Sequence, residues 1–427
     1  MLEHRYYGSS IPTDDFSTEN LRFLTTSQSM ADVNFFAKHV VFKGLEDQNV
    51  TASERPYILY GGSYAGAFVA FLRKLYPETF WGAIASSAVT VAIHDYWEYM
   101  EPLIEYGESG CISAIQKIVN LIDNILDKSN DVDIDDVKFV DKIKATWQLS
   151  GLTHIHDLLN LFTAPLSNWQ AKNWDPEVGS SKWDEFCQIL TNKSIVYPST
   201  SSVYTDAREL IVEGGYAKEL NSLTIPLLNH IGYINATYTS KCVDPDECFT
   251  SYNTTFYQQN DLTQKWRLWP YQYCTEWGYL VTGSGAPTNH LPIISRHIDL
   301  GFSSIICREA FNITSEPKVD VINQYGGYNF AYDRLAFVDG EQDPWRPATP
   351  HAKSAKDRKS TIQQPFLLID GGVHHWDENG LFDYEQTKEL PPKPVRVAQA
   401  AEKEFVTAWF KEWKAARAAE RDGMLEL

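Results

Sequence analysis

Runs of apolar residues separated by turns predict the start of a parallel sheet near the beginning of the chain. Pro56-Tyr-Ile-Leu-Tyr60 has the character of a buried strand, and Gly61-Gly62-Ser63 forms a tight turn before a helical segment that continues through Leu75. A second apolar run, Gly82-Ala-Ile-Ala-Ser-Ser-Ala-Val89, follows Pro77. Strand, turn, helix and strand in this order predict a right-handed crossover between parallel strands.

Two further strands and a final helix are predicted late in the chain. The strands are Leu335-Ala-Phe-Val338 and Phe366-Leu-Leu-Ile369, and a polar loop containing Asp follows each of them. Pro394 suits the first position of a terminal helix. The predicted buried stripe of that helix consists of Val397, Ala401, Phe405, Ala408 and Trp409.

The region between these strands has a helical pattern. Its clearest amphipathic spacing consists of Ile115, Ile118, Val119, Ile122, Ile125 and Leu126. We therefore predict an α/β protein whose sheet domain (residues 1–94 and 256–427) is interrupted by a mainly helical insertion over residues 95–255. A chain of 427 residues is also longer than one compact core usually occupies.

Charge and hydropathy narrow the classes of partner. The chain has 37 Lys and Arg against 56 Asp and Glu, so its net charge is 37 − 56 = −19. Such a chain repels phosphate groups, which argues against nucleic acid and anionic membranes as partners. No run of 18 or more apolar residues occurs, and we expect no transmembrane helix.

Cysteines and glycosylation sequons favour an oxidising compartment, although the chain opens MLEHRYYG and shows no signal peptide. An even number of cysteines occurs without C-x-x-C spacing: Cys111, Cys187, Cys242, Cys248, Cys274 and Cys307. Five N-x-[ST] sequons are candidate glycosylation sites: Asn49, Asn192, Asn235, Asn253 and Asn312. Six cysteines allow 15 connectivities, so the pairing stays open, although Cys242 and Cys248 could close a short loop.

The strongest chemical signal is the turn that carries Ser63. A serine between a strand and a helix, in a turn with small neighbours, presents its hydroxyl at the carboxyl edge of the sheet as a nucleophile elbow. The N–H of Tyr64 would then point toward an oxyanion. Ala65 replaces the second glycine of the G-x-S-x-G pattern. A glycine turn of a nucleotide-binding fold is the alternative, but neither G-x-G-x-x-G nor G-x-x-x-x-G-K-[ST] is present.

A nucleophilic serine needs a histidine base and an orienting carboxylate, and the two late loops supply both. Asp343 follows the strand that ends at Val338, and His374 follows the strand that ends at Ile369. The order Ser, Asp, His is that of enzymes with this elbow. Nearby rivals for the two roles are Asp339, Glu341, Asp370 and His375. The remaining histidines considered are expected in surface or structural roles: His94, His154, His156, His230, His290, His297 and His351.

Several segments in register resemble serine peptidase family S28, the family of prolyl carboxypeptidases and dipeptidyl peptidase II. The matching segments are Glu3-His-Arg-Tyr-Tyr-Gly8, Gly61-Gly-Ser-Tyr-Ala-Gly66, Trp269-Pro-Tyr-Gln-Tyr-Cys-Thr-Glu276, Asp343-Pro-Trp345 and Gly372-Val-His374-His375. The resemblance implies an α/β-hydrolase domain with an inserted helical cap. It also implies hydrolysis on the carboxyl side of proline, in acidic lysosomal, vacuolar or extracellular settings.

Carried over by position, the resemblance implies Ser63 as nucleophile, Asp343 as orienting acid and His374 as base. It implies that Trp345 lines the proline pocket, because an aromatic wall suits a flat pyrrolidine ring. It places a second oxyanion donor in the Glu3–Gly8 loop, which we predict to be a backbone N–H near Tyr6 or Tyr7.

Other positions are less specific. Glu276 and Trp277 are expected to face the substrate cleft; in the alternative, Trp269-Pro270 belongs to the core and Glu276 is a satisfied buried carboxylate. Cys274 with Cys307 resembles a family disulfide. No cofactor and no metal are expected.

Three rival functions remain open at this stage. The same scaffold carries lipases and carboxylesterases, and a truncated homologue could be an inactive binding protein. A metal-dependent hydrolase is disfavoured because no H-E-x-x-H occurs. The partners expected are proline-containing peptides. The choice between carboxypeptidase, dipeptidyl peptidase and endopeptidase stays open, as does that between monomer and homodimer.

The resemblance also bears on the start of the chain. In the family the Glu3–Gly8 loop follows the third strand of the sheet, so we expect the front strands and a signal peptide to lie outside this sequence. Without those strands the sheet would gain an unpaired edge. We therefore predict that the 427-residue chain expressed alone is unstable or inactive.

Overall fold

The computed structural model describes residues 1–128 and 138–425, except for the side chains of residue 138 and residues 421–425. Its strands are β1 (Tyr57–Gly62), β2 (Phe80–Ser86), β3 (Ile93–Asp95), β4 (Gly278–Leu280), β5 (Leu335–Gly340) and β6 (Phe366–Ile369). The main sheet is entirely parallel in the order β1, β2, β5, β6, and β3 pairs with β4 as a separate parallel ribbon. The prediction of an α/β fold with a parallel sheet is confirmed.

Helices surround the sheet and fill the region between β3 and β4. Those up to β3 are α1 (Thr18–Leu21), α2 (Thr26–His39) and α3 (Tyr64–Leu75). Between β3 and β4 lie α4 (Glu101–Tyr106), α5 (Ser109–Lys128), α6 (Lys138–Thr146), α7 (Ile155–Leu161), α8 (Lys182–Leu190), α9 (Tyr204–Glu213), α10 (Leu220–Ile234), α11 (Pro245–Phe249), α12 (Thr254–Tyr257) and α13 (Leu268–Gln272). After β4 follow α14 (Leu300–Ser303), α15 (Ile305–Phe311), α16 (Asp320–Asn323) and α17 (Lys393–Leu425).

Both faces of the main sheet are buried, as expected for parallel strands. Alternate residues of β5 face opposite sides: Leu335 and Phe337 pack with α3, whereas Ala336 and Val338 pack with α17. Because all four strands are parallel, their carboxyl ends meet at one edge of the sheet. The loops predicted to carry chemistry leave the sheet at that edge.

The predicted buried stripe of the last helix is wrong in its first position. Val397 is 60% exposed, and the residues buried against the sheet are Val395, Ala398, Phe405 and Trp409. Trp409 sets this rotation of α17, because its indole lies directly over Gly82 of β2. A Cβ atom on Gly82 would come within 2.8 Å of the ring.

The helices between β3 and β4 build a separate core. Most of their buried apolar residues form one large cluster, joined from beyond β4 by Ile293, Ile294, Ile298 and Val373, whereas Leu268 and Tyr271 of α13 belong to a smaller one. The predicted boundaries at residues 95 and 255 stay predictions. The sequence did not indicate β3 and β4, which at three residues each are too short to show an alternating pattern.

The prediction of disulfide bonds is confirmed. The structure pairs Cys274 with Cys307, Cys242 with Cys248 and Cys111 with Cys187. Of the sequon residues, Asn235 is half-buried and the others are exposed, namely Asn49, Asn192, Asn253 and Asn312. Within the described ranges, no helix is both long and apolar enough to cross a bilayer.

Trp409 provides a test of how α17 is held on the sheet. We expect Trp409→Ala to lower the free energy of unfolding by about 3–5 kcal/mol, because it removes a fully buried indole and leaves a cavity. The adjacent Phe410 is partly exposed, so Phe410→Ala should cost about 1 kcal/mol or less. Urea unfolding followed by tryptophan fluorescence measures both, and equal losses would contradict this packing.

Candidate active site

Ser63 lies at the carboxyl end of β1 in a strained turn. Its φ of +59° is in the left-handed region, which a residue other than glycine adopts at a cost of about 1–3 kcal/mol. The Ser63 N–H donates to the carbonyl oxygen of Ser86 on β2 at 2.9 Å. At Gly66, a Cβ atom would come within 2.6 Å of the same carbonyl oxygen. Ala65, by contrast, is exposed, which explains why a methyl group is tolerated there.

Asp343 and His374 meet at the same edge of the sheet, on the loops that follow β5 and β6. The Nδ1 atom of His374 lies 2.9 Å from Oδ2 of Asp343, and both side chains are buried. The other carboxylate oxygen accepts the N–H of Trp345 at 2.9 Å. Burial opposes ionisation of Asp343, but the charge of His374 and the hydrogen bonds it receives hold its pKa below the usual value.

Ser87 joins these loops and was missed by the sequence analysis. It is fully buried with a φ of +43°, and its hydroxyl oxygen accepts the N–H of His375 at 2.8 Å. A hydrogen bond from Ser87 also contributes to lowering the pKa of the Asp343 carboxyl. The only available signal was the pair Ser86-Ser87 at the end of a buried strand.

The rival residues have other partners. Asp339 binds His351, with 2.7 Å between Oδ2 and Nδ1, and Glu341 accepts the N–H of Gly371 at 3.1 Å. His375 faces Glu378, with Nδ1 at 3.3 Å from Oε2, and burial lowers the pKa of His375 to about 4. Asp370 is exposed. The contacts therefore favour His374 and Asp343 over their neighbours.

The N–H groups of Tyr64 and Tyr7, the two predicted oxyanion donors, differ in whether they already have an acceptor. Tyr64 is the first residue of α3, a position whose N–H has no acceptor within the helix. The Tyr7 N–H donates to the carbonyl oxygen of His4 at 3.1 Å, and the Tyr7 hydroxyl donates to Gln272 at 2.6 Å. The Tyr7 N–H is thus engaged in a turn, and its role as an oxyanion donor stays a prediction.

Glu276 and Trp277 both bind Thr26 at the start of α2. Oε2 of Glu276 accepts the Thr26 N–H at 3.0 Å and the Thr26 hydroxyl at 2.8 Å, which satisfies the first N–H of α2. Burial raises the pKa of the Glu276 carboxyl. Trp277 is fully buried and donates to the same hydroxyl at 3.1 Å. These contacts match the alternative of core residues with a satisfied carboxylate.

Trp345 stands in an aromatic cluster beside Asp343. Its indole stacks on Tyr96, with ring centroids 5.4 Å apart, and meets Tyr99 and Tyr279 edge-on at 5.2 and 5.0 Å. The Oε1 atom of Gln170 accepts two hydrogen bonds, from Trp345 Nε1 at 2.8 Å and from the Tyr99 hydroxyl at 2.7 Å. Sequence analysis missed Gln170, since a glutamine between helices carries no motif.

Three carboxyl groups lie together beside the strand that leads into Ser63. Asp377 accepts hydrogen bonds from the Tyr60 hydroxyl at 2.5 Å and from the Ser86 hydroxyl at 2.6 Å. Glu402 of α17 contacts Asp377, and burial raises the pKa of both groups. Burial and the charge of Asp377 raise the pKa of Glu378 to about 7. The cluster therefore favours protonated carboxyls.

Metal ligation has no support in the part of the chain that the structure describes. There, no group of three or more His, Cys, Asp or Glu side chains is arranged to hold a metal ion.

Comparison with known proteins agrees with the geometry of this edge. The family model described as serine carboxypeptidase S28 matches residues 1–390. A protein of Arthroderma benhamiae named "Probable extracellular serine carboxypeptidase" is 45% identical over 417 residues, which are 96% of this chain and 57% of that protein. The chain thus spans little more than half of that relative's length.

Matches to two more distant relatives cover a larger share of those relatives' own sequences. Serine protease vicPa of Bipolaris victoriae is 27% identical over 88% of this chain and 70% of its own length. Lysosomal Pro-X carboxypeptidase of Bos taurus is 25% identical over 96% of this chain and 74% of its own length. A family match over residues 1–390, together with a relative at 45% identity, establishes that the chain belongs to the serine carboxypeptidase S28 family.

Proposed function

We propose that this protein is a serine peptidase that hydrolyses peptide bonds on the carboxyl side of proline. Ser63 is its nucleophile, His374 its base and Asp343 its orienting acid. The observation that carries the proposal is the buried 2.9 Å contact between Asp343 and His374 at the sheet edge where the Ser63 turn ends β1. The name of the bovine relative, a Pro-X carboxypeptidase, supports the choice of proline.

The mechanism is acyl transfer. Asp343 binds Nδ1 of His374, which leaves Nε2 as the acceptor for the Ser63 proton. The Ser63 oxygen attacks the prolyl carbonyl carbon, and the developing oxyanion faces the Tyr64 N–H. His374 then gives its proton to the leaving amine. Water repeats the sequence in the second half and releases the acyl group, which restores the serine.

The fold proposed for this chemistry is an α/β-hydrolase domain capped by the helices between β3 and β4. Indole groups support the assignment, because they tie the helical region to both catalytic loops. Trp169 Nε1 donates to the Gln342 carbonyl oxygen at 2.9 Å, and Trp174 Nε1 donates to that of Trp376 at 2.8 Å. In return, Trp376 Nε1 donates to the Lys172 carbonyl oxygen at 2.9 Å. Trp345, held from the same region by Gln170, would form the wall against which the proline ring packs.

We assign the activity to an acidic extracellular, lysosomal or vacuolar setting. Three disulfides and the names of the fungal and bovine relatives support such a compartment. The carboxyl cluster of Asp377, Glu378 and Glu402 supports acidic pH, because its members hold protons more tightly than exposed carboxyls do.

Removal of the proposed nucleophile tests the function. We expect Ser63→Ala to lower kcat for a blocked prolyl peptide at acidic pH by about 10⁴-fold or more, because no other group forms the acyl-enzyme. The exposed Ser53 offers a matched control, and Ser53→Ala should leave kcat unchanged. Mass spectrometry of the released fragments identifies the bond cleaved.

The same assay separates this function from its rivals. Retained cleavage in Ser63→Ala would refute the nucleophile. Hydrolysis of short-chain esters without any prolyl cleavage would instead support an esterase.

Stability should decrease as pH rises from about 5 to about 8. The carboxyls of the cluster have raised pKa values in the folded state, so the folded protein retains protons that the unfolded chain releases above pH about 4. The stabilising contribution of these carboxyl groups is complete below pH about 4. It is lost as the pH rises through their pKa values in the folded state, which is about 7 for Glu378. We expect a higher Tm at pH 5 than at pH 8.

Glu402→Gln should reduce this difference by raising the Tm at pH 8, by about 2 °C or more, because an amide is neutral in both states, whereas burial holds a proton on Glu402 that the unfolded chain releases at pH 8. The exposed Glu404 of the same helix is the control, and Glu404→Gln should leave the pH dependence unchanged. Calorimetry at both pH values measures the effect. An identical pH dependence in Glu402→Gln and the unmodified protein would contradict it.

A further inference from the structure

A cavity of about 410 Å³ adjoins the aromatic cluster around Trp345. Tyr99 and Tyr279 belong to both, since they line the cavity and their rings contact the Trp345 indole. The Trp345 N–H in turn binds the Asp343 carboxylate. The cavity therefore borders the aromatic cluster that contains Trp345, the residue whose backbone N–H binds Asp343.

The lining of this cavity is polar in part but carries no formal charge. Apolar and aromatic side chains dominate it, and hydroxyl or amide groups come from Asn160, Thr163, Ser167, Ser251 and Ser303. Among the described lining residues there is no Asp, Glu, Lys, Arg or His. A charged side chain that entered would lose water without meeting a counter-charge, which is costly, whereas an apolar one would gain by burial.

A buried carboxyl group that contacts one lining residue does not change this picture. Asp157 lies behind Ser251 and accepts its N–H at 2.9 Å, but it does not line the cavity. Burial raises the pKa of Asp157, which favours the neutral form at acidic pH. The cavity thus offers a substrate neutral hydrogen-bonding groups and apolar surface.

The size of the cavity exceeds what one proline ring requires. Ligand pockets commonly occupy about 300–1,000 Å³, and this cavity falls within that range. Gln170 fixes the two rings at the boundary, since its single Oε1 atom binds both Trp345 and Tyr99. A peptide whose proline packs on Trp345 would therefore have rigid, uncharged space for the residue covalently attached on the acyl side.

We propose that this cavity is a specificity subsite for the residue that precedes the proline, and that it selects an uncharged aromatic or aliphatic side chain there. The inference rests on the proposed prolyl peptidase function and adds the class of peptide preferred. Apolar burial supplies the favourable free energy, and desolvation of charge excludes Lys and Asp at that position.

The test compares blocked peptides that differ only in the residue before proline, with Phe, Lys or Asp at that position. We expect kcat/KM for the Phe peptide to exceed that for the Lys and Asp peptides by about 10-fold or more. Thr163→Asp should shift the Lys to Phe ratio toward Lys by about 10-fold, because it places a carboxylate in the cavity. Thr163→Asn introduces a side chain with nearly the shape of Asp but without its charge. It should leave the Lys to Phe ratio within about 2-fold of that of the unmodified protein.

Several results would overturn the subsite. Equal kcat/KM for the three peptides in the unmodified protein would do so, as would a Thr163→Asp ratio equal to that of Thr163→Asn. If Thr163→Asp does not fold, the pair Ser303→Asp and Ser303→Asn makes the same comparison. Failure to cleave any prolyl peptide would instead refute the proposed function itself.

Discussion

The carboxyl end of β2 is the point on which the candidate site depends. The Ser86 carbonyl oxygen accepts the N–H of Ser63, and the next residue, Ser87, accepts the N–H of His375 and binds Asp343. Two consecutive serines thus hold the nucleophile turn and both partner loops to the same strand. The parallel register makes this possible, because Gly62, Ser86 and Val338 are aligned at one edge.

Two buried carboxyl groups near this edge have pKa values shifted in opposite directions. Asp343 is removed from water, yet it meets an imidazole, a hydroxyl and a backbone N–H, and the sum favours its anionic form. Asp377 is also buried, and the two hydroxyl groups that it binds do not offset its desolvation, so its neutral form is favoured. Desolvation is common to both groups, and the charge of His374 is the contribution to Asp343 that Asp377 does not receive.

The sequence predicted the parts of the fold and site that depend on local pattern. The four strands of the main sheet were recognised from continuous apolar runs, and the Ser63 turn and the Asp and His loops were recognised from their position after those strands. The ends of the elements were less accurate, since β2 stops at Ser86 rather than Val89.

What could not be predicted depends on tertiary contacts. Glu276 was ambiguous because its role is set by Thr26, which is 250 residues away in the chain. The rotation of α17 depends on the absence of a side chain at Gly82, and no periodicity within the helix contains that information. Ser87 and Gln170 belong to common residue types, and only their partners distinguish them.

The helical region between β3 and β4 also holds the loops that follow β5 and β6. Trp169 and Trp174 each donate a hydrogen bond to a backbone carbonyl of the loop that carries Asp343 or His374, and the Trp376 indole returns one to Lys172. Indole groups suit this role, because each buries a large apolar surface and still satisfies one polar atom. The same segment contains Gln170, whose Oε1 atom accepts a hydrogen bond from the Trp345 indole. Because one segment binds both the loops that carry Asp343 and His374 and the aromatic cluster around Trp345, a displacement of the helical region would disturb the aromatic cluster and the Asp343–His374 geometry together.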